Sequence, residues 1–336
     1  MRAAVIERPG LDHLKLEELP IPEPRRGEVL VRLRAASLNY RDTLTAVGGY
    51  GARQKRERLI PLSDGAGEVV EVGSDPGSWR RGDRVIGCLM PNWQGGEMSE
   101  GKSAASLGGS VDGCAAEYRV FSATGLVRTP EHLSDMEAAT LPCAALTAWS
   151  AVMTQGRVGP GDVVLTQGGG GVSVFALQFA RLAGARVLAI SSSLERLVRL
   201  RDLGASDVAN YRDMPEWGRW ARSLTAGRGV DHVVEVGGAG TLAQSVRAVR
   251  AGGTVSLIGV LGGAKPDFNL AHIVMQNIRL QGVTVGSRDQ FEQMLAAIGL
   301  HKLRPVVDRV FPLAEIRTAI EYLSSGRHFG KVCIAL

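Results

Sequence analysis

The chain has 336 residues, of which 45% are hydrophobic and 22% charged, with 39 basic side chains against 34 acidic ones. This length exceeds one ordinary hydrophobic core and predicts two domains, and the composition is typical of a globular enzyme. The net charge of +5 is spread along the chain without a run of like charges, which argues against a nucleic-acid partner. No stretch of 18 apolar residues occurs, so a membrane span is not expected.

The four cysteines, Cys88, Cys114, Cys143 and Cys333, form no C-x-x-C pair. They predict free thiols in a reducing compartment, and we therefore expect a soluble, cytoplasmic protein. The charged start at residues 1–7 favours a first strand over the apolar core of a secretory signal.

Short apolar runs separated by Gly and Pro turns follow one another through the first 130 residues. Strand periodicity is clearest at residues 27–34, 67–73 and 82–87, which predicts an irregular β-rich domain. Residues 92–113 are rich in Gly and Ser without a clear period, and we expect them to form a long surface loop.

From about residue 160 the pattern changes to an alternation of apolar strands and helices. Such an alternation predicts a doubly wound parallel sheet with helices on both faces. The predicted helices cover residues 172–183, 194–203 and about 240–250, the first two closed by Gly184 and Gly204. The predicted strands cover residues 162–167, 186–190, the run before Asn210, 233–236 and 254–259.

A run of four glycines, residues 168–171, connects the first of these strands to the first helix. Glycines allow a tight turn and a close approach to a pyrophosphate, and the helix N-terminus supplies N–H groups and positive dipole. Ser173 replaces the third glycine of the G-x-G-x-x-G pattern but is small enough for helix–strand packing. The predicted phosphate contacts of this dinucleotide site are Gly168, Gly170, Gly171 and Val172.

The second strand of the alternation ends in serines rather than in an acidic residue. NAD-specific sites place Asp or Glu there to hold the ribose 2′-hydroxyl, whereas Ser191 and Ser192 leave room for a 2′-phosphate. Arg196 lies close by and can pair with that phosphate. NADP(H) is therefore expected in preference to NAD(H), although a helix-capping serine followed by solvated arginines is an alternative interpretation.

Several segments of the chain resemble the medium-chain dehydrogenase/reductase superfamily, above all its zinc-independent quinone oxidoreductase, enoyl reductase and alcohol dehydrogenase-like branches. The similarity covers essentially the whole sequence. The matching segments are residues 36–42, 61–69, 82–85, 138–142, the glycine loop, Asn210-Tyr211 and residues 330–332.

The resemblance implies a chaperonin-10-like, β-rich catalytic domain of residues 1–143 and 286–336, with a Rossmann domain of residues 144–285 between them. It also implies that Tyr211 flanks the adenosine phosphate and that Lys331 contacts the cofactor from the tail. Gly259, at the end of the last predicted Rossmann strand, completes the candidate cofactor set. An apolar strand at residues 278–285 favours a homodimer paired across a two-fold axis, although an internal strand would show the same pattern.

The positions of the zinc ligands separate this sequence from zinc-dependent members of the family. Those members carry Cys where Asn39 stands and a His-Glu pair where Ser63 and Asp64 stand, so that Cys143 alone keeps a thiol. A catalytic zinc needs three protein ligands of N, S or O type. We therefore expect no metal, and read Cys143 as a small buried hydrophobe.

Two residues are candidates for catalysis. In the enoyl reductase branch a tyrosine in a context similar to that of Tyr50 donates a hydrogen bond or proton near the reacting carbonyl. Asn39 is expected near the nicotinamide, because a side-chain amide suits both ends of the carboxamide. For each the alternative is an ordinary loop or turn residue.

Without a metal to polarise an alcohol, a conjugated carbonyl or a quinone is the easier substrate, since charge develops on an oxygen that a few donors can stabilise. The sequence thus favours NADPH-dependent reduction of such small molecules. Two alternatives remain: an alcohol or aldehyde oxidoreductase, and an NADPH-binding sensor or structural protein with little turnover.

Overall fold

The computed structural model describes residues 1–51, 54, 58–265 and 269–336, and the chain forms two compact units. Unit 1 comprises Met1–Leu146 and Ser287–Leu336, and unit 2 comprises Thr147–Gly286.

Strands and helices are numbered in chain order. The strands are β1 Arg2–Ile6, β2 Leu14–Glu18, β3 Glu28–Ser37, β4 Asp64–Val72, β5 Arg84–Gly87, β6 Tyr118–Ser122, β7 Leu126–Arg128, β8 Val163–Gln167, β9 Arg186–Ser191, β10 Asp207–Asn210, β11 Val230–Glu235, β12 Val249–Leu257, β13 Arg279–Gly282, β14 Val307–Pro312 and β15 Lys331–Ala335. The helices are α1 Tyr40–Ala46, α2 Glu100–Ser103, α3 Asp135–Ala139, α4 Leu146–Trp149, α5 Gly171–Leu182, α6 Leu194–Asp202, α7 Trp217–Ser223, α8 Leu242–Ala248, α9 Ala271–Met275, α10 Arg288–His301 and α11 Ile316–Ser324. Two π-helical segments, Leu141–Ala145 and Ser150–Gln155, flank α4.

Unit 1 is built on a mixed sheet with the strand order β14-β15-β3-β4-β5-β7, to which β6 adds beside β3; β1 and β2 form a separate antiparallel pair. The long strand β3 places Val29, Val31 and Leu33 in the core, because alternate side chains of a strand face the same way. Helix α11 packs Ile316 and Ile320 into the same core. The β-rich character expected for this part of the chain is confirmed.

Unit 2 is a parallel six-stranded sheet with the order β10-β9-β8-β11-β12-β13. Numbered from β8 this is the order 3-2-1-4-5-6 of a doubly wound dinucleotide-binding fold, which confirms the predicted fold class. Its buried strands are runs of Val, Leu, Ile and Ala, as expected when helices cover both faces. Helices α5 and α6 end before Gly184 and Gly204, whose positive φ values of 81° and 99° suit glycine.

Residues 92–113 are less exposed than the sequence predicts. They contain the short helix α2 and several buried side chains, among them Trp93 and Leu107. The segment is anchored because Arg41 reaches it with two hydrogen bonds, an interaction that its Gly- and Ser-rich composition does not reveal. In the part of the chain that the structure describes, no helix is both long and apolar enough to cross a membrane.

Candidate active site and cofactor site

The glycine loop of unit 2 has the local geometry of a phosphate-binding turn. Gly168 follows β8 with φ of 77°, and its N–H donates to the Ile190 carbonyl at 2.6 Å. Gly170 caps α5, which begins at Gly171, so the first N–H groups of a twelve-residue helix are directed towards the loop. The buried Ser173 hydroxyl donates to the Gln167 carbonyl at 2.6 Å, so serine satisfies its own polar atom at the third glycine position. Gly168, Gly170, Gly171 and Val172 therefore lie together at the N-terminus of α5, and their contact with a pyrophosphate stays a prediction.

Serine side chains lie at the carboxyl end of the neighbouring strand, β9. Ser191 is buried, and its hydroxyl has no hydrogen-bond partner among the residues that the structure describes. A buried hydroxyl without a partner is uncommon, and a bound ligand would satisfy it. Ser192 is half-buried, and Arg196 lies in the first turn of α6, where its backbone N–H is capped by Ser193. These residues fit a nicotinamide dinucleotide at this edge of the sheet.

Two further candidates lie at the same carboxyl edge of unit 2. The Tyr211 N–H donates to the Ser191 carbonyl at 3.1 Å, and 38% of its surface is exposed. Gly259 follows β12 so closely against Val236 that a side chain would collide with that carbonyl. The glycine is thus explained by packing at the ends of two adjacent strands.

A buried carboxylate that could not be recognised from the sequence connects the carboxyl ends of two strands of this sheet. Glu235, at the end of β11, accepts hydrogen bonds from five donors. One of them is Gln167 Nε2 at 2.8 Å, and Gln167 immediately precedes the glycine loop. The others are the Gly237 and Gly238 N–H groups and the Thr241 and Ser245 hydroxyls. Glu235 therefore holds the ends of β8 and β11 in register.

In unit 1, three adjacent strands bring distant residues to one point. Strand β3 lies between β15 and β4, and Ser37 at its end is opposite both Cys333 and Asp64. As a result, Lys331 at the start of β15 lies beside Asn39, which caps α1. The Lys331 ammonium is 2% exposed and donates to Leu38 O and Asn39 Oδ1, each at 2.5 Å.

The Asp64 carboxylate is the negative charge of this cluster. It accepts hydrogen bonds from Ser63 Oγ at 2.7 Å and Ser37 Oγ at 3.2 Å, and the Lys331 ammonium lies 3.8 Å away. Both charged groups are buried, and such a pair is tolerated only when hydrogen bonds satisfy its remaining polar atoms. Cys143 contacts the same carboxylate through its N–H at 3.4 Å, and burial together with Asp64 raises the pKa of its thiol to about 12.

Lysine can only donate hydrogen bonds, so its contact with Asn39 determines which way that amide points. Oδ1 faces the Lys331 ammonium, while Nδ2 makes a single long contact of 3.5 Å with Ser63 Oγ. The sequence predicts that both ends of this amide serve the cofactor, but the structure leaves only the NH₂ end available. The predicted cofactor contact of Lys331 itself stays a prediction.

Tyr50 is paired with a buried arginine. The Arg41 Nε donates to the phenol oxygen at 3.4 Å, and the guanidinium carbon lies 5.0 Å from the ring centroid. Arg41 is held in turn by Leu107 O at 2.6 Å and Ser106 Oγ at 2.7 Å. Because Tyr50 accepts from Arg41, its own O–H remains available to donate elsewhere.

Comparison with known proteins identifies the family. Residues 25–131 match the family described as alcohol dehydrogenase GroES-like domain, and residues 171–299 match the one described as zinc-binding dehydrogenase. A zinc-type alcohol dehydrogenase-like protein of Schizosaccharomyces pombe is 42% identical over 97% of this chain and 96% of its own length. The chain belongs to the medium-chain dehydrogenase/reductase superfamily.

Relatives in this superfamily are named for two kinds of reaction. An acryloyl-coenzyme A reductase of Metallosphaera sedula is 29% identical over 98% of this chain and 99% of its own length. A solved NAD-dependent alcohol dehydrogenase is 35% identical with a TM-score of 0.92, covering 100% of both chains. A 2-octenoyl-CoA carboxylase reductase, solved with NADP and 2-octenoyl-CoA, is 26% identical with a TM-score of 0.89 over 99% of this chain and 87% of its own. The chain is therefore a nicotinamide-dependent oxidoreductase.

The family implies a catalytic zinc, and the cluster around Asp64 shows whether this chain could bind it. The four side chains at the ligand positions are an amide, a hydroxyl, a carboxylate and a thiol. A catalytic zinc takes three ligands from thiolates, imidazoles and carboxylates; here only one thiol and one carboxylate are of these types, and the carboxylate already faces an ammonium. Over the described ranges, no group of three His, Cys, Asp or Glu residues is arranged to hold a metal ion. The residues present do not fit a zinc site.

Proposed function

We propose that this protein is a zinc-independent, NADPH-preferring reductase of quinones or of carbon–carbon double bonds conjugated to a carbonyl. The observation that carries the proposal is that Asn39 and Ser63 stand where zinc-dependent relatives carry metal ligands, and that the Lys331 ammonium donates to Asn39 Oδ1. Without that polarisation the substrate must be a good hydride acceptor itself.

The cofactor preference rests on the end of β9. Ser191 and Ser192 replace the acidic residue that would repel a 2′-phosphate. Ser191 is the last residue of β9, and its hydroxyl has no hydrogen-bond partner among the described residues. Arg196, in the first turn of α6, supplies the positive charge for the phosphate. Bound there, the reduced nicotinamide supplies a hydride for the β-carbon of the substrate.

Charge then develops on the substrate carbonyl oxygen, and unit 1 offers two donors of the kind required. The Tyr50 phenol accepts from Arg41 and can donate its own proton, and Asn39 Nδ2, whose contact with Ser63 Oγ is a long 3.5 Å, can donate because Oδ1 is the end bound to Lys331. Donors that are already oriented stabilise developing charge without the cost of reorganisation. The names of the acryloyl-coenzyme A reductase and of the 2-octenoyl-CoA carboxylase reductase support reduction of a conjugated double bond.

An alcohol or aldehyde oxidoreductase is the second candidate, favoured by the names of two similar proteins, the Schizosaccharomyces pombe relative and the solved NAD-dependent alcohol dehydrogenase. A substrate screen separates the two. The purified protein is assayed with NADPH against a quinone, an enone, an enoyl thioester and a saturated aldehyde, and with NADP⁺ against primary and secondary alcohols, with products identified. We expect turnover of the conjugated substrates at unchanged rates after chelator treatment. Best turnover of simple alcohols, or one zinc per chain by elemental analysis, would replace the first candidate with the second.

Tyr50→Phe tests the proposed donor directly. A donor that acts on charge in the transition state should lower kcat by about tenfold or more while KM changes little. Tyr40→Phe is the matched control, because Tyr40 is 44% exposed at the start of α1. Equal rates for Tyr50→Phe and the wild type would remove Tyr50 from the mechanism. Tight NADPH binding without turnover of any substrate would instead favour a sensor.

A further inference from the structure

A cavity of about 480 Å³ lies in unit 2 at the amino ends of the parallel strands. This volume is within the usual range for small-molecule sites. Asp162, on its wall, immediately precedes β8, whereas the glycine loop follows that strand. The five residues of β8 separate the two places by roughly 17 Å, so the cavity is distinct from the predicted cofactor site.

The charged side chains around the cavity are positive in sum. Three arginines, Arg157, Arg250 and Arg279, face two carboxylates, Asp162 and Asp231. Asp231 is bound by Arg250 at 2.5 Å and by Arg228 at 2.7 Å, and although burial opposes ionisation these arginines lower its pKa to about 2. Asp162 accepts a bond from the Gly159 N–H at 2.9 Å.

Two of these arginines, Arg157 and Arg279, are not neutralised by a neighbouring carboxylate of the described residues. Within the described part of the chain, neither Arg157 nor Arg279 forms an ion pair with a carboxylate. Arg279 makes one long bond, of 3.4 Å, to Gly252 O. Arg157 has an exposed side chain on a backbone with φ of 48°, a left-handed conformation that is uncommon outside glycine.

A buried imidazole adds a polar atom without a partner. His232 is 1% exposed and shares a hydrogen bond of 3.1 Å between Nε2 and Ser256 Oγ. Its Nδ1 has no partner among the described residues, and His232 lines the cavity. A Cβ on Gly156 would lie 2.8 Å from that nitrogen, so only glycine can pack this closely against the ring. Burial and Arg279 lower the pKa of His232 to about 4, so the ring is neutral near pH 7 and Nδ1 carries a proton when Ser256 donates to Nε2.

We propose that this cavity is a second ligand site, which binds a phosphoryl group through Arg157 and Arg279 with His232 Nδ1 as a third donor. Arg157, His232 and Arg279 come from three different segments that line the same cavity, and a tetrahedral phosphoryl group can accept from three directions whereas a planar carboxylate presents two oxygens. The volume leaves room for the organic part of a small phosphorylated molecule. The assignment does not depend on the reaction proposed above.

Calorimetric titration of the full chain tests this site, with NADPH kept saturating so that the cofactor site is occupied. The probes are inorganic phosphate and ribose 5-phosphate, which distinguish free phosphate from a phosphorylated metabolite. Arg157→Gln and Arg279→Gln should each raise Kd by about tenfold or more, as expected for the loss of a charge-assisted bond. Arg201→Gln, which removes the same charge from the exposed face of α6 in the same unit, should leave Kd unchanged.

Arg157→Gln decides the outcome, because its exposed side chain can be replaced without disturbing the fold. The absence of binding of either probe to the wild type in the presence of NADPH overturns the proposal. So does unchanged affinity of Arg157→Gln, or an equal loss in Arg201→Gln, which would indicate a diffuse charge effect. Tighter binding of ribose 5-phosphate than of phosphate identifies a phosphorylated metabolite, and the reverse order identifies free phosphate.

Discussion

Glu235 provides the sharpest test of how unit 2 holds the carboxyl ends of its strands in place beside the glycine loop. The substitution Glu235→Gln keeps the shape of this fully buried side chain and replaces one acceptor oxygen with an NH₂ group. Three of its five donors are N–H groups that cannot turn away: the Gly237 and Gly238 backbone and Gln167 Nε2. Gln167 cannot flip without loss, because its Oε1 already accepts from the Val236 N–H.

The magnitude follows from the number of N–H groups left unpaired. If the new amide keeps its oxygen towards the Gly237 and Gly238 N–H groups, its NH₂ group faces the NH₂ group of Gln167, and one of these donors loses its partner. A buried donor without a partner costs about 1–3 kcal/mol. The hydrogen bonds that remain are also weaker, because a neutral amide replaces the charged carboxylate as their acceptor. We therefore expect the free energy of unfolding to fall by about 2–4 kcal/mol. For a unit of this size that lowers Tm by about 5–15 °C.

The assay is thermal unfolding followed by circular dichroism, together with titration of NADPH. Glu216→Gln is the matched control, since Glu216 forms ion pairs with Arg219 and Arg247 while half exposed, and such pairs contribute less than about 1 kcal/mol. We expect Glu235→Gln to melt early and to bind NADPH more weakly, and Glu216→Gln to resemble the wild type. A Tm within about 2 °C of the wild type for Glu235→Gln would refute the reasoning.

Two predictions concern the cofactor and the oligomer. Arg196→Ala should raise the Kd of NADPH by about tenfold and leave that of NADH nearly unchanged, measured by intrinsic fluorescence with Arg201→Ala as control; equal losses for both cofactors would contradict the 2′-phosphate assignment. The edge strand β13 and the exposed apolar residues Val274 and Met275 favour a homodimer, so Val274→Asp should shift the molar mass measured by light scattering towards the monomer; a monomeric wild type would contradict this.

Local patterns explain why the framework of unit 2 could be predicted from the sequence. Strands β8 and β9 are short apolar runs, and α5 and α6 each end before a glycine with positive φ, so residues close in sequence determine these boundaries. The glycine loop could be found for the same reason, since the strand before it and the helix after it are adjacent in the sequence.

The contacts that orient the candidate active site could not be predicted, because they join residues far apart in the chain. Lys331 meets Asn39 across 292 positions, through the pairing of β15 with β3. Arg41 holds both Tyr50 and the 92–113 segment, yet nothing in its neighbourhood distinguishes it from a solvated arginine. Glu235 was missed because a single acid at a strand end has no motif, and its role depends on donors from three other segments.

The pH dependence of stability supplies a last prediction, from Asp42 at the start of α1. Burial, opposed by Arg41, raises the pKa of this carboxyl to about 6 from 3.8, and its Oδ1 has no partner among the described residues. The folded protein then binds more protons than the unfolded chain between these values, so stability falls as pH rises from about 4 to 6. The change is at most about 3 kcal/mol, since one pKa unit corresponds to about 1.4 kcal/mol. Asp42→Asn keeps an acceptor for the Asn39 N–H and cannot ionise, so its stability relative to the wild type should increase over this range in urea unfolding at several pH values. A constant difference between the two proteins from pH 4 to pH 7 would show that Asp42 titrates normally in the fold.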